Sequence, residues 1–319
     1  MAATVVLQAD TVDLGYPRQL PLFESLSLAM KSGDLVCLMG PNGVGKSTLI
    51  RTLAQLHPPS KGRILWGFRG TPALVLTDRV SAPHLSVREL VTYGRYPHVD
   101  WHLRLRPEDE DIINQSLDQV GISDLSNKKL FEISDGQLQL AMIARALAQQ
   151  SPLIILDEPT AHLDLNNRVK IMTLLKSLAH ERGKAILLAS HELDLALQMA
   201  DVVWLATPHG QVKTGMPEQL VLNGAFDELF PLKGFNLKTG RVEHHPHRNL
   251  RIAVHGQSYT HLWTRSALAR WGYQLDEDAP LTLLVTEQGG WAINNELFTD
   301  LTQLYQYLDQ YASSSSPAR

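Results

Sequence analysis

The stretch DLVCLMGPNGVGKSTLI, residues 34–50, decides the fold. Its apolar run, Leu35–Met39, has the continuous character of a strand buried on both faces. Directly behind it, Gly40–Thr48 reads GPNGVGKST and matches G-x-x-x-x-G-K-[ST] at every position. Glycines in such a loop let backbone N–H groups close around a triphosphate, and the helix that opens there turns its positive end toward the anion. In this pattern Lys46 reaches the β- and γ-phosphates and the Ser47 hydroxyl ligates Mg²⁺, while Asn42, Gly43, Gly45 and Thr48 complete the cradle. A chance glycine-rich turn would not have a strand before it and a helix after it. The stretch predicts a nucleotide site.

Further along, LIILDEPT at 153–160 ends an apolar strand in two adjacent acids, Asp157 and Glu158. The carboxyl ends of strands are where open α/β sheets bind ligands. Asp157 suits Mg²⁺ there, and Glu158 suits the orientation and deprotonation of an attacking water. A second apolar run, AILLAS at 185–190, follows after a helical stretch. Continuous apolar strands joined by helices predict a parallel sheet of βαβ units. Pro107 and Glu108 open a helix that Gly121 closes, and another helix starts near Gly136.

With these residues in place, the chain resembles the ATP-binding-cassette ATPases over residues 5–215. Their signature segment appears as ISDGQ, Ile133–Gln137, with ARAL at 144–147, and their D-loop as AHLD, 161–164. His191 in ASHELD stands where the family's switch histidine touches the γ-phosphate. Tyr16 stands where an aromatic stacks on adenine. The resemblance implies an α/β phosphate-loop ATPase with a parallel core sheet, an antiparallel β subdomain and a helical subdomain. It implies ATP and Mg²⁺ as the bound species, and Glu158 and His191 as catalytic. It also implies a head-to-tail homodimer, in which Ser134, Gly136 and Gln137 of one subunit close over the ATP of the other. Ser134 equally suits capping of the helix behind it, and the two roles are compatible.

Two positions depart from the family pattern. No glutamine occurs between Leu56 and Gln115, so Thr77 or Asp78 stands at the Q-loop position. Asp135 replaces the usual signature glycine, which puts a carboxylate close to where a phosphate would bind.

The segment SVRELVTYGRYPHVDW, 86–101, resembles its counterpart in ATPases that power uptake of ferric siderophores, haem and cobalamin. In those importers it borders the groove that receives a permease helix. The resemblance implies transmembrane permease subunits as partners, and through them an extracytoplasmic substrate-binding protein. A soluble cassette ATPase serving a cytoplasmic assembly is the second reading, and an exporter subunit the third.

Composition agrees with a peripheral role. Of 319 residues, 44% are apolar, enough for a large core, and 29 basic against 33 acidic residues give a net charge of −4. That balance disfavours nucleic acid as a partner, since phosphate neutralisation needs a basic face. No uncharged apolar run approaches the roughly 18 residues of a membrane span. The opening MAATVVLQAD lacks the features of a secretory leader. One cysteine, Cys37, fits a reducing compartment. The expected location is the cytoplasmic side of the inner membrane.

A domain boundary is expected near 222, dividing an ATP-binding domain, 1–222, from a small α+β accessory domain, 223–319. The latter reads as strand, helix, two strands and helix, and its last seven residues, SSSSPAR, as a disordered polar tail. His244, His245 and His247 in EHHPHR could suggest a metal cluster. Pro246 breaks their spacing, and a solvated linker explains them better.

Overall fold

Two rhythms of apolar residues build the first part of the chain, alternation in one sheet and continuity in the other. The computed structural model describes residues 4–15, 20–76, 82–100, 102, 104–230, 234–242, 244–248, 250–286 and 289–314. Its contacts divide into two units, Met1–Pro231 and Leu232–Arg319.

In the first unit, buried residues largely alternate with exposed ones along β1 (Val5–Leu14) and β2 (Phe23–Lys31), as in strands with one face on a core. β3 (Leu35–Met39) is buried at all five positions, and α1 (Lys46–Leu53) follows the glycine-rich loop. β4 (Lys61–Trp66) pairs antiparallel with β1, giving a three-stranded sheet in the order β2-β1-β4. After β5 (Ala73–Val75) comes a helical layer: α2 (Val87–Thr92), a 3-10 turn at Tyr93–His98, α3 (Pro107–Gln119) and α4 (Asp135–Ala148). The three α-helices pack on one another. The chain then alternates β6 (Leu153–Asp157), α5 (Leu165–His180), β7 (Ala185–Ala189), α6 (Leu193–Met199) and β8 (Val202–Ala206). It closes with β9 (Val212–Gly215), α7 (Pro217–Leu222) and α8 (Ala225–Leu229).

The core sheet has six strands in the order β5-β6-β7-β3-β8-β9, parallel except for the β8–β9 hairpin. In this order β6, β7 and β3 are neighbours, with Asp157 beside Ala189 and Ala189 beside Leu38. Three loops therefore leave the sheet side by side: the phosphate loop, the Asp157–Glu158 turn and the His191 turn. Cys37 is fully buried in β3, where loss of solvent raises its thiol to about 12. Residue 222 falls at the end of α7; beyond it α8 packs on α7 and buries Phe226 completely.

The second unit begins with a two-residue hairpin, β10 (Phe235–Asn236) with β11 (Arg241–Val242). Next come β12 (Arg251–His255), α9 (Tyr259–Arg270), β13 (Gln274–Leu275), β14 (Leu281–Val285), β15 (Trp291–Ile293), β16 (Glu296–Phe298) and α10 (Leu301–Ser314). The five-stranded sheet runs β13-β12-β14-β15-β16 and mixes parallel with antiparallel pairs. Alternate residues Ile252, Val254, Leu281, Leu283, Trp291 and Ile293 gather with Leu268 of α9 and with Leu304 and Leu308 of α10. The indole of Trp291 satisfies its N–H on Thr264 Oγ1 at 2.7 Å. The expected polar tail begins inside α10, and residues 315–319 lie outside the described residues.

Candidate functional site

The phosphate loop turns sharply before α1, and two glycines make the turn possible. Gly45 has φ 105, a conformation that residues with side chains rarely adopt. A β-carbon on Gly40 would lie 2.6 Å from the Ala206 carbonyl oxygen, so β3 could not leave the sheet there with any larger residue. The loop brings Asn42, Gly43 and Ser47 to the surface. Lys46 is buried and donates to the carbonyl oxygens of Gly40 at 2.7 Å and Pro41 at 3.1 Å. Burial lowers its ammonium pKa, while the charges of Glu158 and Asp157 oppose that shift.

Asp157 ends β6 half-buried. Burial raises its pKa, the charge of Glu158 raises it further, and a hydrogen bond from Ser47 works against both. Ser47, at the surface, and the half-buried Asp157 thus stand together in a negative corner that suits a divalent cation. Glu158 occupies the left-handed region at φ 49, unusual for a residue with a side chain, and its N–H donates to the Ala189 carbonyl at 3.0 Å. Strain of this kind concentrates at functional sites. His191 Nδ1 lies 3.4 Å from Glu158 Oε1. The corner formed by Lys46, Ser47, Asp157, Glu158 and His191 is therefore gathered from three loops.

Ser134, Gly136 and Gln137 open α4. The Ser134 hydroxyl accepts from the Gln137 N–H at 3.3 Å, and the Gln137 side chain accepts from the Ser134 N–H at 3.0 Å. This reciprocal cap fixes the helix start. Asp135 is exposed in the first turn. Tyr16, Thr77 and Asp78 lie outside the described residues. A pocket of about 520 Å³ beside the loop is lined by Leu22, Glu24, Asn42, Gly43, Pro208 and His209, among others. Glu24, near the start of β2, and Pro208 and His209, in the turn between β8 and β9, carry no motif that would single them out from sequence.

A second concavity, about 300 Å³, lies on the helical layer. Its lining includes Leu56, Tyr93, Gly94, Pro97, Arg145 and Gln149. The 3-10 turn that forms one wall is held from beneath. Arg95, buried, donates to Asp109 at 2.8 Å and to the Ala148 carbonyl at 2.7 Å. Tyr93 and Tyr96 meet edge to face with ring centres 5.0 Å apart and are both partly exposed.

In the second unit, the His247 N–H donates to the Gly272 carbonyl. Among the described residues, no three His, Cys, Asp or Glu side chains gather as a metal site.

A parallel sheet whose glycine-rich loop, strand-end acids and histidine converge at one edge defines a nucleotide-binding cassette. Residues 23–161 match the family described as ABC transporter, and residues 249–309 match that described as iron ABC transporter C-terminal domain. An uncharacterized ABC transporter ATP-binding protein of Methanocaldococcus jannaschii is 34% identical over 264 residues, covering 78% of this chain and 91% of that one. The ferric enterobactin transport ATP-binding protein of Escherichia coli is 30% identical, with 71% and 88% covered. A solved inward-facing structure of a putative metal-chelate type ABC transporter aligns with TM-score 0.67 and 29% identity over 72% of this chain and 90% of that one. The chain belongs to the ATP-binding subunits of ABC transporters, a family of ATPases that dimerise and work with transmembrane permeases. Among the described residues, no helix is long and apolar enough to cross a membrane.

Proposed function

We propose that this chain is the ATP-hydrolysing subunit of an importer for an iron chelate, haem or a corrinoid. It would act as a homodimer at the cytoplasmic face of the inner membrane. The observation that carries the reading is the segment 86–98, which lines the concavity on the helical layer with Tyr93, Gly94 and Pro97. Relatives named for siderophore uptake support it, including the achromobactin transport ATP-binding protein of Dickeya dadantii at 32% identity. In this reading the ATPase, expected over residues 1–222, runs on through α8 within the first unit, and the remainder of 223–319 forms an accessory domain. Permease subunits dock at the concavity, and an extracytoplasmic binding protein delivers cargo to them.

The chemistry follows from the site. Backbone N–H groups of the loop and the Lys46 ammonium hold the phosphates, and Tyr16 stacks on the base. Ser47 and Asp157 would hold Mg²⁺, which supplies charge neutralisation on the phosphates when bound. Glu158 accepts the proton of a water aligned with the γ-phosphorus as the bond to the leaving ADP breaks. His191 holds the γ-phosphate and steadies Glu158. The partner's Ser134, Gly136 and Gln137 close the other side, so hydrolysis waits for dimer closure.

The test is recovery of partners from native membranes with tagged Glu158→Gln protein held closed by ATP. Co-purification of a polytopic permease and an iron-chelate, haem or cobalamin binding protein is expected. Recovery of soluble partners alone would overturn the importer reading.

A further inference from the structure

The first turn of α5 touches three parts of the site at once. Asp164, its N-cap, accepts from the Asn167 backbone N–H at 2.8 Å and from the Asn167 side chain at 2.9 Å. The same Asn167 side chain lies against the signature segment: a β-carbon on Gly136 would approach it to 3.0 Å. Next in sequence, Arg168 donates through Nε to the Leu163 carbonyl at 2.6 Å. Its Nη1 lies 3.1 Å from Oε1 of Glu192, the residue directly after His191.

Glu192 is unusual in its surroundings. Its side chain is only 7% exposed, and its second oxygen, Oε2, has no hydrogen-bond partner among the described residues. A carboxylate so deeply placed is costly to leave without a close partner, and Arg168 is its only ion-pair partner among the described residues. The guanidinium is suited to this place because its planar fork can hold a carbonyl and a carboxylate together. A lysine would have one nitrogen for both.

These contacts close a ring around the catalytic carboxylate. Glu158 faces His191, and its carbonyl accepts the Ala161 N–H. The Thr160 carbonyl accepts the Leu163 N–H, Leu163 accepts Arg168, and Arg168 holds Glu192 beside His191. We propose that Arg168 is a positioning residue for ATP hydrolysis. Acting through the Leu163 carbonyl and the Glu192 carboxylate, it keeps the 161–164 loop and the His191 turn in fixed register about Glu158. The inference rests on the catalytic roles proposed above for Glu158 and His191.

Four variants of the full-length chain test it: Arg168→Met, Arg168→Lys, Arg168→Met with Glu192→Gln, and Glu158→Gln as reference. The readouts are kcat, KM for ATP, affinity for a fluorescent ATP analogue, and Tm. Arg168→Met should lower Tm, because it strands a buried carboxylate, and lower kcat about tenfold or more through misplacement of reacting groups. Nucleotide affinity should stay within about twofold, since no phosphate contact is lost. Adding Glu192→Gln removes the stranded charge, so Tm should recover while kcat stays low. Arg168→Lys should fold and give an intermediate kcat.

A double variant with wild-type kcat would overturn the proposal, because the residue would then serve stability alone. So would wild-type kcat in Arg168→Met itself. If Arg168→Met fails to fold, the double and lysine variants decide the matter by the same criteria. Normal hydrolysis by Glu158→Gln would instead remove the catalytic reading, an outcome separable from the others.

Discussion

His191 Nδ1 and Glu158 Oε1 stand 3.4 Å apart at the ends of adjacent strands β7 and β6. Neither residue is sealed from solvent; the side chains are 58% and 30% exposed. A water aligned for attack could therefore reach Glu158 directly, with the imidazole beside it. The left-handed backbone at Glu158 costs about 1–3 kcal/mol, which the surrounding parallel strands must offset.

Glu158→Gln keeps the shape of this side chain and removes its basicity. Hydrolysis should fall by about 10²–10⁴-fold, the usual contribution of a positioned general base. Affinity for a fluorescent ATP analogue should stay near wild type. Single-turnover phosphate release checks the first expectation and equilibrium titration the second; near-normal turnover would remove Glu158 as the base.

The buried pair beneath the 3-10 turn leads to a prediction about stability. Arg95 and Asp109 are each only 6% exposed, and Arg95 also serves Ala148 and Gln150. Arg95→Ala leaves Asp109 without its cation and should cost about 3–5 kcal/mol, measurable by urea unfolding. The Arg106 N–H, and then Arg95, hold the Asp109 carboxyl below the usual range. Its stabilising contribution is therefore present above the ordinary aspartate pKa and is lost as pH falls through the depressed value. Asp109→Asn should flatten the acid limb of the stability profile. An unchanged acid limb would show that Asp109 is not the group being titrated.

Much of this site could be read before the fold was seen, and the reason is local. A phosphate loop needs its glycines, lysine and serine in one short run, so Gly40–Thr48 announces itself. The strand-end acids and His191 likewise stand where apolar runs stop. Arg168 and Glu192 gave no such signal, because their pairing depends on where α5 and the His191 turn lie in space. Arg95 reads as an ordinary surface residue until its burial is known. In the second unit, β13 has two residues and no periodicity of its own; it exists because β12 offers it a parallel edge.

Asp157 carries a conflict between stability and function. Burial first, and the neighbouring charge of Glu158 second, raise its carboxyl above the usual range. The ionised form thus costs stability above the raised value, and the cost disappears as pH falls below the unfolded value. Asp157→Asn should raise Tm by a few degrees at neutral pH without nucleotide, and the gain should shrink toward pH 4. The same change should abolish magnesium-dependent hydrolysis. Thermal melts across pH check the first part; a lower Tm at neutral pH would contradict the electrostatic account.

Asp135 separates this chain from the usual signature. It is exposed in the first turn of α4, where the helix dipole favours a carboxylate by about 0.3–1 kcal/mol. Glycine there would lose that interaction and add backbone freedom, so Asp135→Gly should destabilise the isolated chain by about 1 kcal/mol. In the proposed dimer, however, the same helix start faces the γ-phosphate held by the other subunit. A carboxylate at that point opposes closure through like charge, and removing it favours closure. The substitution should therefore act in opposite directions, lowering Tm of the monomer while tightening ATP-dependent self-association in the Glu158→Gln background. Sedimentation with and without ATP separates the two effects. If self-association weakens along with Tm, the Asp135 carboxylate does not face the partner's phosphate, and its part in α4 is a favourable charge at the helix N-terminus.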